Sequence, residues 1–106
     1  VLLGDYLFTH AFHLASTVDV TACALIGKAT DRVCEGELCQ TLNAGNLDLT
    51  EAEYFDIIDG KTAALTAVWG RLGAHYAGAS AEVVEAMTRF GTLVGQAFQI
   101  ADDLLD

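Results

Sequence analysis

The carboxyl-terminal stretch FQIADDLLD places three carboxylates, Asp102, Asp103 and Asp106, within five residues at the end of an apolar run. A helix advances about 100° per residue, so Asp106 lies about 40° and Gln99 about 60° around the axis from Asp102. Carboxylates ~5 Å apart repel one another by about 3 kcal/mol at an effective dielectric constant of about 20, and a hard cation would remove that repulsion. Mg²⁺ is such a cation, since it takes one or two carboxylates together with substrate phosphates. The pattern therefore favours either a magnesium site or a solvated acidic helix end.

The same helix carries small residues on the side that holds the acids. Gly91 and Gly95 lie within about 20° of Asp102 around the axis, and an apolar arc fills the opposite side. Each glycine costs roughly 1 kcal/mol relative to alanine in a helix, so we expect both to let another group approach the backbone closely behind the acids. We expect the apolar arc to face the core. Its residues are Phe90, Leu93, Val94, Ala97, Ile100, Ala101, Leu104 and Leu105.

The stretch DIIDGKTAAL places a lysine and a threonine directly after a glycine inside a helical pattern. Gly60 permits a kink there and exposes backbone N–H groups. Beside such an opened backbone, the ammonium of Lys61 and the hydroxyl of Thr62 suit a phosphate oxygen. The stretch is consistent with a phosphate site or with a surface lysine on an amphipathic helix.

The stretch EGELCQ carries a third polar pair. Glu37 and Gln40 are three residues apart, so they share one face of a helix. Gly36, directly before Glu37, adds no side chain to the surface beside the pair. The pair is consistent with a contribution to a site or with an ordinary polar surface.

Composition excludes several classes of function. The 106 residues suggest one domain, and the net charge of −10 argues against a nucleic-acid partner and against binding to an anionic membrane. No apolar run is long enough to span a membrane, and no basic region precedes an apolar one in residues 1–106, so we expect no signal peptide among them. The three cysteines are odd in number and lack CxxC spacing, so we expect reduced thiols in the core of a cytoplasmic protein.

Turn signals divide the chain into helices. Thr50 followed by Glu53 fits a capping box, and Ser80 fits an N-cap. The absence of proline and of alternating β-branched runs indicates an all-α class, an antiparallel array with short connections. Four helices are predicted, over residues 2–15, 19–44, 51–77 and 81–106.

The two ends of the chain suggest that the bundle is incomplete. The sequence opens on Val1 instead of methionine and stops on Asp106 in mid-motif. We therefore expect residues 1–106 to be a single all-α segment of a longer protein.

Together these motifs resemble the trans-isoprenyl diphosphate synthases, the polyprenyl synthetase family. The matching residues occur in the family's order across the whole chain. They are GDYL at 4–7, GELCQ at 36–40, GKTA at 60–63 and, most specifically, FG at 90–91 with GQAFQIADDLLD at 95–106.

The resemblance implies a Mg²⁺-dependent prenyltransferase of isoprenoid biosynthesis. Such enzymes join an allylic diphosphate to isopentenyl diphosphate head to tail and release inorganic diphosphate. It also implies an all-α helix bundle of the isoprenoid synthase type that forms a homodimer, with two aspartate-rich motifs facing each other across a cavity. The present chain would be the central part of that domain and would end on the second motif.

The family's metal ligands carry over to the acidic stretch. The match makes Asp102 the direct ligand of Mg²⁺. Asp103 and Asp106 would support it, partly through water.

The family's substrate-binding residues carry over to three stretches. Lys61 would hold the diphosphate with Thr62 beside it, and Gln99 would border the allylic site. Glu37 and Gln40 would face the metal ions from a neighbouring helix.

Two related classes remain open at this point. One is a class I terpene cyclase, although the second metal motif of those enzymes differs from the intact aspartates found here. The other is a non-catalytic small subunit of a heteromeric prenyl synthase. Residues 1–106 contain no first aspartate-rich motif, so we expect the segment alone to be inactive.

Overall fold

The computed structural model describes residues 1–105, and the regular elements in that range are all helical. This confirms the all-α prediction. No helix among the described residues is long and apolar enough to cross a membrane. A π-helical turn, Asp59–Ala63, joins α3 to α4 without a break. The α-helices are α1 Leu2–Val18, α2 Val20–Leu42, α3 Glu51–Ile58, α4 Ala64–Tyr76 and α5 Ala81–Leu105.

Local capping sets the helix boundaries. Asp19 is extended, with φ −162°, and ends α1 while its side chain accepts a 2.9 Å bond from the N–H of Thr21 at the start of α2. The predicted capping box is confirmed, because Glu53 donates its N–H to Thr50 Oγ1 at 3.1 Å and Thr50 donates its N–H to Glu53 Oε1 at 3.2 Å. The four predicted helices correspond to α1, α2, the rod α3–π turn–α4, and α5. Several ends are shifted by one to three residues, and the predicted end of the last helix, at residue 106, lies outside the described residues.

Helices α4 and α5 pack antiparallel at close range. A Cβ built on Gly95 of α5 would meet the Cα of Ala63 at 2.7 Å, and one built on Gly70 of α4 would meet the carbonyl of Met87. Residue numbers thus fall along one helix as they rise along the other. The glycines allow the two backbones to approach more closely than larger side chains would permit.

Helix α2 crosses the rod at two further glycines. A Cβ on Gly36 would lie 2.5 Å from the backbone nitrogen of Lys61 and 2.9 Å from the carbonyl oxygen of Ile57, and one on Gly60 would lie 2.7 Å from the carbonyl oxygen of Arg32. The backbones of α2 and the rod are in contact here. This crossing places Lys61 beside the last turns of α2.

The buried face of α5 is the opposite of the one expected. Its buried residues are Gly91, Gly95 and Gln99, whereas Phe90 is 57% and Leu104 81% exposed. The expectation that the apolar arc faces the core is wrong for residues 1–105. The physical reason is that the small residues bring the α5 backbone against α4, so the group that approaches them is a helix of the same chain.

The expectation of core thiols is also wrong for two cysteines. Cys34 and Cys39 are exposed and Cys23 is half-buried, and all three are free thiols. They lie on α2, whose buried positions are Ala22, Ala29 and Gly36. The core instead consists of Ala22, Ala29, Ile57, Ile58 and Ala63.

Candidate active site

The π-helical turn presents Lys61 and Thr62 to different neighbours. Lys61 Nζ donates a 3.0 Å bond to Gln40 Oε1 on α2, and Thr62 Oγ1 donates a 2.7 Å bond to Gln99 Oε1 on α5. Gly60 is buried against Arg32 and Gly36 of α2. π-Turns within α-helices occur frequently at functional sites, and this one turns successive side chains toward two separate helices.

Two hydrogen bonds run head to tail from the π turn to Asp103, and a third reaches Asp103 from α3. After Thr62 donates to Gln99, the Nε2 of Gln99 donates a 2.9 Å bond to Asp103 Oδ1. Tyr54 on α3 donates a 2.6 Å bond from its hydroxyl to the other oxygen, Asp103 Oδ2. Gln99 is only 4% exposed, and both ends of its amide are satisfied by these bonds. The network joins α3, the π turn and α5.

The network changes the acidity of Tyr54. Partial burial, and then the hydrogen bond and negative charge of Asp103, raise the pKa of the phenol from its usual 10.0 to about 12. Each cause disfavours the phenolate. Tyr54 therefore acts as a hydrogen-bond donor at neutral pH.

The acidic residues differ in their surroundings. Asp103 accepts from two side chains, whereas Asp102 is exposed and its carboxylate makes no hydrogen bond with another residue of the range 1–105. Asp106 lies outside the described residues. Within residues 1–105, no three carboxylate, thiol or imidazole groups come close enough together to hold a metal ion. The carboxylates of Asp102 and Asp103 nevertheless fit Mg²⁺, because this ion needs only one or two carboxylates and takes its remaining ligands from water and substrate phosphates.

A groove of about 250 Å³ brings the basic and the acidic residue together. Lys61, Asp103 and Tyr54 all line it. An ammonium and a carboxylate around one groove suit a ligand that carries phosphate oxygens and a metal ion at once. The remaining lining residues are Gln40, Asn43, Ala44, Leu49, Ile57 and Ile58.

The structure separates the two residues predicted together on α2. Gln40 contacts Lys61 and lines the groove. Glu37 is exposed, and within residues 1–105 only its backbone carbonyl accepts a side-chain bond, from Thr41 at 3.0 Å. Gln40 therefore lies in the groove beside Lys61, and the binding roles of both Glu37 and Gln40 stay predictions.

Sequence reasoning missed Tyr54. It lies two helical turns before Lys61, and that spacing could have indicated a shared face. Its partner Asp103 is 49 residues away along the chain, a contact that local spacing does not reveal. A second missed contact is the 2.6 Å bond from Gln96 Nε2 to Asp59 Oδ1, which fastens α5 to the start of the π turn.

Comparisons with known proteins agree with this architecture. A family model described as polyprenyl synthetase matches residues 1–106. A geranylgeranyl diphosphate synthase of Methanosarcina mazei is 36% identical over 112 residues, covering 100% of this chain and 35% of that protein. An octaprenyl diphosphate synthase of Haemophilus influenzae is 36% identical over 107 residues, covering 100% of this chain and 32% of that protein. The chain thus spans about a third of the length of the curated relatives it matches.

Solved structures give the same result. A polyprenyl synthase from Caulobacter crescentus CB15, complexed with calcium and isoprenyl diphosphate, superposes with a TM-score of 0.87 at 40% identity. A decaprenyl diphosphate synthase from Rhodobacter capsulatus superposes with a TM-score of 0.86 at 41% identity. The two superpositions cover 100% of this chain and 37% and 35% of those chains, respectively.

Proposed function

The chain belongs to the polyprenyl synthetase family, and from that premise we propose that it is the central part of a larger isoprenoid synthase domain. That domain catalyses Mg²⁺-dependent transfer of an allylic group to isopentenyl diphosphate, head to tail, with release of diphosphate. The observation that carries the proposal is the groove in which Lys61 and Asp103 lie together. The structure of a relative complexed with calcium and isoprenyl diphosphate supports it.

The chain's own residues have distinct roles in this proposal. Lys61 exchanges its bond to Gln40 for a charge-assisted bond to a phosphate oxygen, which stabilises the charge that develops as the allylic C–O bond breaks. Asp102 would hold Mg²⁺ directly, and Asp106 and Asp103 would support it. When bound, the metal ion neutralises charge on the leaving diphosphate.

The polar side chains of the buried network order the site. Gln99 borders the allylic group, and Thr62 lies beside the diphosphate-binding lysine. Their mutual 2.7 Å bond fixes both before substrate arrives. Preorganised dipoles of this kind need little rearrangement during the reaction.

Helices α5 and α1 expose apolar side chains that suit packing against other helices or another subunit. The apolar arc of α5, including Leu93 at 57% exposure, is suited to pack against other helices of the larger domain and to exclude water from the allylic group. Helix α1 has no buried residue, and Leu3 and Tyr6 are 70% and 64% exposed. We place the interface of a homodimer there, because apolar surface of this extent favours association. Free thiols suit a cytoplasmic location.

A transfer assay on the full-length protein tests the function. An allylic diphosphate and labelled isopentenyl diphosphate are supplied with Mg²⁺, with and without a chelator. We expect a lengthened prenyl diphosphate only when Mg²⁺ is present. The isolated segment 1–106 should be inactive, because it lacks an opposing aspartate-rich motif. Well-folded full-length protein that transfers no prenyl group would contradict the proposal.

A further inference from the structure

The carboxylate of Asp103 accepts hydrogen bonds from two side chains of the protein. Tyr54 fills Oδ2 with a 2.6 Å bond, and Gln99 fills Oδ1 with a 2.9 Å bond. Both are hydrogen bonds to an anion, which are shorter and stronger than neutral ones. Among the described residues, the neighbouring acid, Asp102, has no such partner.

The charge on Asp103 dictates the orientation of the Gln99 amide. A carboxylate accepts but does not donate, so the NH₂ group of Gln99 must face Asp103. The oxygen of that amide then faces Thr62, whose hydroxyl proton it accepts at 2.7 Å. Because Gln99 is 4% exposed, water does not readily replace either bond, and an unmade bond there would be costly.

Tyr54 supplies the outer end of this chain of bonds. It lies on α3, two turns before Lys61, and its bond to Asp103 joins segments 49 residues apart on opposite sides of the π turn. Without the hydroxyl, Asp103 Oδ2 would be free to rotate toward solvent or a cation. The restraint on Gln99 and Thr62 would weaken with it.

We propose that Tyr54 is a positioning residue that acts through Asp103, holding the Gln99 amide and the Thr62 hydroxyl in one orientation and leaving Asp102 to make the direct metal contact. The inference rests on the proposed function, and it adds a positioning role for Tyr54 that explains how Asp103 supports the site. Asp103 orients Gln99 and Thr62 beside the diphosphate, and Asp102 binds the metal ion.

A matched control for Tyr54 exists at the other end of the bundle. Tyr76 on α4 donates a 2.9 Å bond to Asp19, at the start of α2. Tyr54→Phe and Tyr76→Phe each remove one hydroxyl that bonds to one aspartate. Only Tyr54→Phe removes a hydroxyl from the hydrogen-bonded network that includes Thr62.

The test measures ligand binding and kinetics in the full-length protein. Calorimetry with an unreactive allylic diphosphate analogue and Mg²⁺ gives Kd, and steady-state assays give KM and kcat. We expect Tyr54→Phe to weaken analogue binding and to raise KM about 5- to 10-fold, with a smaller change in kcat. Tyr76→Phe should stay within about twofold of wild type. Asp103→Asn should weaken binding at least as much as Tyr54→Phe, because an amide has one acceptor oxygen where the carboxylate has two, so either Tyr54 or Gln99 loses its acceptor.

A second measurement does not depend on catalysis. Tyr54 and Thr62 make no hydrogen bond to each other, so Tyr54→Phe and Thr62→Val should be non-additive in unfolding experiments only if Asp103 and Gln99 connect them. The pair Tyr76→Phe and Thr62→Val should be additive. Additive effects of Tyr54→Phe and Thr62→Val, or equal effects of the two tyrosine variants on binding, would overturn the inference. Absence of transfer in wild type is a different result and would contradict the proposed function itself.

Discussion

The ammonium of Lys61 is held by a neutral partner, since its Nζ donates a 3.0 Å bond to the side-chain oxygen of Gln40. Among residues 1–105, Lys61 forms no salt bridge, whereas Arg32 pairs with Glu35 at 3.4 Å. An amide orients the ammonium without neutralising its charge. A phosphate oxygen can therefore displace Gln40 at lower cost than it could displace a carboxylate.

Lys61→Ala should weaken binding of an allylic diphosphate analogue about tenfold or more, because it removes a charge-assisted bond to phosphate. Titration calorimetry on the full-length protein measures the change. Lys28→Ala is the matched control, because Lys28 is an exposed lysine on α2 away from the groove and its loss should leave Kd within about twofold. Equal affinities for wild type and Lys61→Ala would make Lys61 a surface lysine with no role in the site.

Asp102→Ala should reduce prenyl transfer more than Asp103→Ala at saturating Mg²⁺. Loss of the direct metal ligand removes charge stabilisation from the transition state, with a fall in kcat of about 100-fold or more. Asp103→Ala loosens Gln99 and Thr62 and should act mainly on KM. Steady-state kinetics of both variants decide the order, and near-native rates for both would refute the metal assignment.

The crossing of α2 and the π turn should tolerate no side chain at Gly36. Gly36→Ala places a methyl group against the backbone of Lys61 and Ile57, and we expect a loss of about 1–3 kcal/mol in the free energy of unfolding. Gly73→Ala is the control, since nothing lies within 4 Å of its Cβ position on α4. That change should stabilise the protein by about 0.4–1 kcal/mol. Denaturant unfolding compares them, and equal stabilities would show that the backbones do not meet as described.

Tyr54 should make stability depend on alkaline pH. Its pKa rises from 10.0 to about 12 on folding, so its stabilising effect is complete below pH 10.0 and is lost as the pH rises toward 12. The advantage of wild type over Tyr54→Phe in the free energy of unfolding should shrink over that interval. Urea unfolding of both proteins at a series of pH values measures it. A difference that stays constant through the interval would show that Tyr54 ionises equally in both states.

Much of the fold could be predicted because its signals are local. The capping box, for example, depends on Thr50 and Glu53, which are three positions apart. The placement of Lys61 and Thr62 beside a glycine likewise followed from adjacent residues. Gln40 and Gln99 were also predicted as site residues, but their hydrogen bonds to Lys61 and Thr62 were not predicted.

The remaining features depend on tertiary packing. Hydrophobicity alone predicted that Leu93 and Leu104 would face the core, but backbone contact at Gly91 and Gly95 turned the small residues inward. The bond from Tyr54 to Asp103 spans 49 residues, and it requires the π turn between them to have the observed register. Neither outcome follows from helical periodicity.

The most direct test of the central claim is a crystal structure of the full-length protein with Mn²⁺ in place of Mg²⁺ and an unreactive allylic diphosphate analogue. Anomalous scattering locates the metal ions independently of the protein. The account predicts a metal ion bonded to a carboxylate oxygen of Asp102, Lys61 Nζ bonded to a phosphate oxygen instead of Gln40, and Asp103 still bonded to Tyr54 and Gln99. A diphosphate bound elsewhere, with Lys61 still on Gln40 and no metal ion at Asp102, would contradict it.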